Sequence, residues 1–123
     1  VFCSEARPLA AQRQLAAQDV EVIALPTLEP LVVLEVLHQR GLRSVLWECG
    51  GQLAARAIAQ GCVQKICAIV APKIIGGTAA PTPIGELGLT AMTAAKALRD
   101  VTFEQIGTDM LIQGYLPSFD DPA

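Results

Sequence analysis

Apolar residues in this chain fall into short clusters punctuated by glycine and proline, and the clusters alternate between strand-like and helix-like spacing. Residues 1–3 read as the end of a strand. Pro8 then sits where the first turn of a helix tolerates a missing N–H, and that helix runs to about Ala17. Residues 20–25 are β-branched and few, hence a strand. Pro30 opens a second helix that continues to about Arg40, and Gly41 is placed to close it. Residues 44–48 predict the next strand, and Gly50 leads directly into a third helix. In that helix Leu53, Ala54, Ala57 and Ile58 form an apolar face, Gln52, Arg56 and Gln60 form a polar stripe at spacing four, and Gly61 ends it. Residues 65–71 are apolar at nearly every position, which predicts a strand covered on both faces, as in a parallel sheet.

The pattern then breaks. Residues 72–96 are rich in Gly, Pro, Ala and Thr, with Gly76-Gly77, Pro81-Thr82-Pro83 and Gly85 among them, and predict a long loop with one short helix near residues 93–96. A connection of that length in a compact domain is usually functional or disordered. Two more strands, residues 98–106 and 109–116, are joined by Gly107-Thr108, a Gly-X pair suited to a two-residue type II′ turn. Residues 117–123 have little to pack against and read as a loose tail. The order of elements predicts an α/β chain with a mixed sheet, flanking helices and a C-terminal antiparallel hairpin, and residues 1–123 fit one domain with one core.

Composition narrows the classes. The chain is 52% hydrophobic and 17% charged, yet no apolar run approaches the length of a membrane span, so no membrane partner is expected. No signal sequence is visible and the first residue is Val, so the cytoplasm is the expected location and a missing upstream segment is suspected. A net charge of −3, with nine Lys and Arg residues dispersed along the chain, argues against a nucleic-acid partner. Cys3, Cys49, Cys62 and Cys67 contain no C-x-x-C pair and have one histidine, His38, to help them, so no metal site is expected and buried free thiols are the reading. His38 itself lies near the end of a helix, where its favourable partner is the helix dipole rather than a reacting group.

Candidate chemistry concentrates at residues 48–56. A carboxylate, Glu48, ends a strand; Gly50 and Gly51 follow without a Cβ; and the first helical turn offers unpaired N–H groups and a partial positive charge. A diphosphate suits that arrangement. A Gly-Gly pair alone marks a tight strand-to-helix turn more often than a site. Glu48 shifts the balance, because a carboxylate between Trp47 and Cys49 is costly to half-bury without a role.

The run Val45-Leu46-Trp47-Glu48-Cys49-Gly50-Gly51-Gln52-Leu53-Ala54-Ala55, then Ala71-Pro72-Lys73-Ile74-Ile75-Gly76-Gly77, then Gly107-Thr108-Asp109-Met110-Leu111-Ile112-Gln113-Gly114-Tyr115-Leu116, resembles the C-terminal reductase domain of the bifunctional riboflavin-biosynthesis deaminase/reductase. That domain is similar in fold to dihydrofolate reductase. The resemblance extends over essentially the whole chain but only over the later part of the domain, whose early strands have no counterpart here. It implies NADPH as cofactor and a phosphoribosylaminopyrimidine as substrate, whose ribosyl group is reduced to an open ribityl chain. It places Glu48 in substrate binding and Gly50, Gly51, Gln52, Leu53, Ala54, Ala55 and Arg56 along the cofactor diphosphate. Arg56 is equally accounted for as a solvated arginine on the polar stripe. By analogy with dihydrofolate reductase, Ser4 and Arg7 would hold the 2′-phosphate of NADPH, although Ser4 also suits an N-cap. Cys49 stands where the family has glycine or alanine, and Val63-Gln64-Lys65-Ile66 replaces a more acidic stretch. The zinc-bearing deaminase half has no counterpart, so no deaminase activity is expected. A homodimer or higher homo-oligomer is expected, and the alternatives are an enzyme fragment competent only with the missing upstream segment, a catalytically incompetent structural module whose terminal hairpin and exposed strand edges pair chains, and another reductase of the same fold class.

Overall fold

A computed structural model describes residues 1–77 and 80–117. The chain divides into two compact units, Val1–Leu46 and Trp47–Ala123.

In the first unit, β1 (Phe2–Ser4) and β2 (Ile23–Leu25) pair in parallel, with α1 (Leu9–Ala16) as the crossover and α2 (Pro30–Gln39) following. Pro8 is the N-cap of α1 rather than part of its first turn. The strand expected over residues 20–25 begins only at Ile23, because Asp19 turns left-handed (φ 57°) and the Val20 N–H is spent on the Leu15 carbonyl, closing α1. Helix α2 starts as expected, with Pro30 at a position that needs no N–H. It ends with Gly41 at φ 84°, whose N–H reaches His38 while the Leu42 N–H reaches Leu37, the paired bonds of a Schellman motif. Arg40 donates to both carboxylate oxygens of Glu21 at 2.7 Å, tying the end of α2 to the approach to β2. Those hydrogen bonds, and the guanidinium charge behind them, hold the Glu21 carboxyl below its ordinary range.

Residues 44–48 form no ladder with any described strand, so the expected strand is absent. The apolar run has strand propensity, but a strand exists only through its hydrogen-bonded neighbour, and Leu46 is left 80% exposed.

The second unit opens with α3 (Gly51–Ala59). It closes on Gly61, again with a Schellman pair: Gly61 N–H to Ile58 and Cys62 N–H to Ala57. The buried side chains are Ala55, Ala57, Ile58 and Cys62, with Ala57 completely inaccessible. Leu53, expected on the apolar face, is 42% exposed. It stands about 200° around the helix from Ala55 but only about 40° from buried Ala57, so its exposure follows its place in the first turn rather than its face.

A three-stranded antiparallel sheet follows, ordered β3-β5-β4: β3 (Lys65–Val70), β4 (Arg99–Ile106) and β5 (Asp109–Tyr115). The expectation of a parallel strand covered on both faces fails for β3. It is an edge strand, antiparallel to β5, and Cys67, Ala68, Ile69 and Val70 are exposed. A continuous apolar run states affinity for a sheet but not which strand will be its partner. The hairpin is as expected: Ile106 pairs with Asp109 across a two-residue turn, Gly107 has φ 62°, and Thr108 does not share the positive φ, as type II′ requires. One extra residue sits on β4 between Arg99 and Thr102, where Asp100 takes φ 50°, the left-handed position of a bulge. The loop before β4 carries one 3₁₀ turn, Met92–Ala94, close to the short helix expected there. Of the expected loose tail, residues 118–123 lie outside the described residues.

Candidate functional site

The N-terminal turn of α3 is built from two glycines with opposite surroundings. Gly50 is the N-cap, at φ −71° and ψ 162°, and its carbonyl accepts the first helical bond from the Ala54 N–H at 3.1 Å. No side chain caps this helix, so the N–H groups of Gly51, Gln52 and Leu53 are the donors that the helix itself leaves over. A Cβ built on Gly50 would meet nothing within 4 Å. A Cβ on Gly51 would lie 2.6 Å from the Thr82 carbonyl oxygen and 3.1 Å from the Gly85 nitrogen. The space over Gly51 is thus filled by the chain's own backbone, the loop 81–85, rather than left for a ligand. The Gly85 N–H donates to the Gly51 carbonyl at 2.9 Å, and a Cβ on Gly85 would in turn sit 3.0 Å from that oxygen.

Glu48 lies two residues upstream of Gly50. Trp47 and Cys49 are half-buried, but Glu48 is exposed, which corrects the expectation of a half-buried carboxylate. Its flanking side chains turn inward and leave it in solvent. Gln52 and Leu53 are exposed on the first turn, Ala54 is half-buried, and Ala55 belongs to the packed face. Arg56 lies in the last turn, about 7.5 Å along the axis from Gly51, where its charge faces the carbonyl end of the helix dipole.

Ser4 and Arg7 fall in the other unit. The Ser4 hydroxyl accepts from the Ala6 N–H at 3.2 Å, a local turn and not a helix cap, so the N-cap alternative does not hold. The Arg7 N–H donates to the Ser4 carbonyl at 2.9 Å, and the Gln12 side chain donates to the Arg7 carbonyl at 3.2 Å. Both residues line an open groove of about 510 Å³ beside α1, together with Cys3, Gln12 and Leu15.

Among the described residues no three His, Cys, Asp or Glu side chains come together as a metal set, and no helix is long and apolar enough to cross a membrane. The cysteines are not uniformly buried as expected: Cys62 is buried, Cys3 and Cys49 are intermediate, and Cys67 is exposed. The buried thiol, Cys62, follows the Gly61 turn that closes α3, and the others follow the exposure of their strands and loops. The contribution of Thr82 and Gly85 was not visible in the chain pattern beyond one sign, an overlong loop punctuated by proline and glycine.

The sequence family described as the RibD C-terminal domain matches residues 1–112. Riboflavin biosynthesis protein RibD of Synechocystis sp. is 57% identical over 103 residues, which are 84% of this chain and 28% of that protein. The 2,5-diamino-6-ribosylamino-4(3H)-pyrimidinone 5′-phosphate reductase of Archaeoglobus fulgidus is 33% identical over 92 residues, covering 67% of this chain and 42% of that protein. Among solved structures, RibD of Acinetobacter baumannii superposes with a TM-score of 0.74 at 17% identity, over 95% of this chain and 36% of that one. The chain therefore spans less than half the length of each of these proteins. Its mixed parallel and antiparallel α/β architecture is that of part of the reductase domain, and the chain belongs to the RibD C-terminal domain family.

Proposed function

We propose that this chain is the later part of a single dihydrofolate-reductase-like domain that reduces the ribosyl group of 5-amino-6-(5-phosphoribosylamino)uracil with NADPH in riboflavin biosynthesis. The observation that carries this reading is Gly50. Its φ of −71° is open to any residue, and no neighbour comes within 4 Å of a would-be Cβ. Neither backbone strain nor packing within the chain calls for glycine there, whereas close approach of a diphosphate to a helix N-terminus does. The name of the Archaeoglobus fulgidus relative supports the reaction class, a reductase of a phosphorylated ribosylaminopyrimidine.

In this reading the N–H groups of Gly51, Gln52 and Leu53 hold the diphosphate, aided by the positive end of the α3 dipole. Solvent-exposed Glu48 accepts a hydrogen bond from a hydroxyl or amino group of the substrate and orients it. Ser4 and Arg7 would contact the 2′-phosphate, Arg7 by charge. NADPH, when bound, supplies the hydride; the protein supplies position. Calorimetric titration of the full chain with NADPH tests the reading. Saturable binding that is weaker for NADH supports it, and no heat of binding from a folded chain contradicts it.

A further inference from the structure

The clasp between α3 and the loop 81–85 deepens the cofactor reading and rests on it. The loop is anchored to the helix by one backbone hydrogen bond, Gly85 N–H to Gly51 carbonyl at 2.9 Å, and both ends of that bond lack the room for a side chain. The peptide unit that accepts the bond runs from Gly51 to Gln52, so its opposite end is the Gln52 N–H, one of the three donors of the first turn. Hydrogen bonding at the carbonyl of an amide polarises its N–H and strengthens it as a donor. The Thr82 carbonyl also closes the Gly51 side of the turn, within 2.6 Å of the place a Cβ would take, while the Gly50 side stays open. Within the loop, the Thr82 hydroxyl donates to the Ile84 carbonyl at 2.9 Å and shapes the backbone that makes this contact.

We propose that Gly85 is a positioning residue for the nucleotide: its clasp on Gly51 orients the Gln52 N–H and leaves the face over Gly50 as the route by which a diphosphate reaches the first turn. Coupling of this kind is reciprocal, so the nucleotide must tighten the clasp as much as the clasp favours the nucleotide.

The test needs no substitution. Amide hydrogen exchange is followed residue by residue on the full chain, with and without saturating NADPH. The expected result is slower exchange at Gln52 and Leu53 together with a several-fold slowing at Gly85. Protection of Gln52 and Leu53 with Gly85 unchanged overturns the positioning role and leaves the cofactor reading standing. No change at any of the three overturns the cofactor reading, and the clasp's role with it. As a second arm, Gly85→Ala, checked for folding by circular dichroism, is expected to bind NADPH about tenfold more weakly, the worth of one well-placed hydrogen bond. Wild-type affinity in that variant overturns the proposal.

Discussion

Two helix beginnings in this chain, one in each compact unit, are built differently. At α1 the polar groups ahead of the helix are spent locally: the Ser4 hydroxyl on Ala6, the Ser4 carbonyl on Arg7, and the Arg7 carbonyl on Gln12. Its N-cap, Pro8, brings no N–H, and no residue of α1 is buried. At α3 the N-cap has no side chain, three donors are left over, and Ala55, Ala57 and Ile58 fix the helix by burial. A helix packed on one face with an open first turn is suited to hold a diphosphate, whereas the α1 end offers one exposed cation, Arg7. A helix N-terminus can hold an anion only when its packing is secured elsewhere and its donors are left free.

Gly51→Val is expected to have the largest effect on stability. The new side chain must displace the backbone at Thr82 and Gly85, a costlier shift than moving a flexible side chain. Overpacking of this kind costs about 3 kcal/mol, or a drop of roughly 10 °C in Tm. Thermal unfolding followed by circular dichroism reads it, and an unchanged Tm would refute the close approach of loop and helix. The corresponding change at the other helix, Arg7→Ala, leaves stability within about 0.5 kcal/mol of wild type. Its expected effect is on selectivity: loss of a charge-assisted contact to the 2′-phosphate lowers the preference for NADPH over NADH about tenfold. Paired titrations with the two nucleotides measure this, and an unaltered preference removes Arg7 from the site. Smaller still is the contrast at the helix ends. Helices α2 and α3 close on glycines at positive φ, but α1 closes on Asp19 at φ 57°. Asp19→Gly relieves that strain and is expected to stabilise the chain by about 1 kcal/mol, seen as a Tm rise of a few degrees. A fall in Tm would mean that the Asp19 side chain contributes more than its backbone costs.

Much of the architecture was legible in the chain because it is decided locally. Pro30 with Gly41, Gly61, and the Gly107-Thr108 pair each specify a start, a stop or a turn through the dihedrals of one or two residues, and each is found where expected. What the residues could not declare is partnership. The apolar run at β3 was compatible with a covered parallel strand and became an exposed antiparallel edge, because β5 is its neighbour. Residues 44–48 had the composition of a strand but no described partner. The candidate site shows the same division. Glycine-led entry into α3 was readable at Gly50 and Gly51, but their different roles were not, since the group that fills the space over Gly51 comes from Thr82 and Gly85, far along the chain. Ala57 and Ile58 of the expected apolar face are buried, whereas Leu53 on the first turn is exposed, because cover over each turn comes from segments distant in the chain.

If the open face over Gly50 admits the cofactor diphosphate, Gly50→Val must close it. The substitution has room in the chain and a permitted backbone, and weakening the N-cap costs at most about 1 kcal/mol. In calorimetric titration with NADPH, beside wild type and with folding checked by circular dichroism, the variant is predicted to lose binding by about a hundredfold or more while keeping its fold. A folded Gly50→Val chain that binds NADPH as tightly as wild type would mean that the diphosphate does not pass over Gly50.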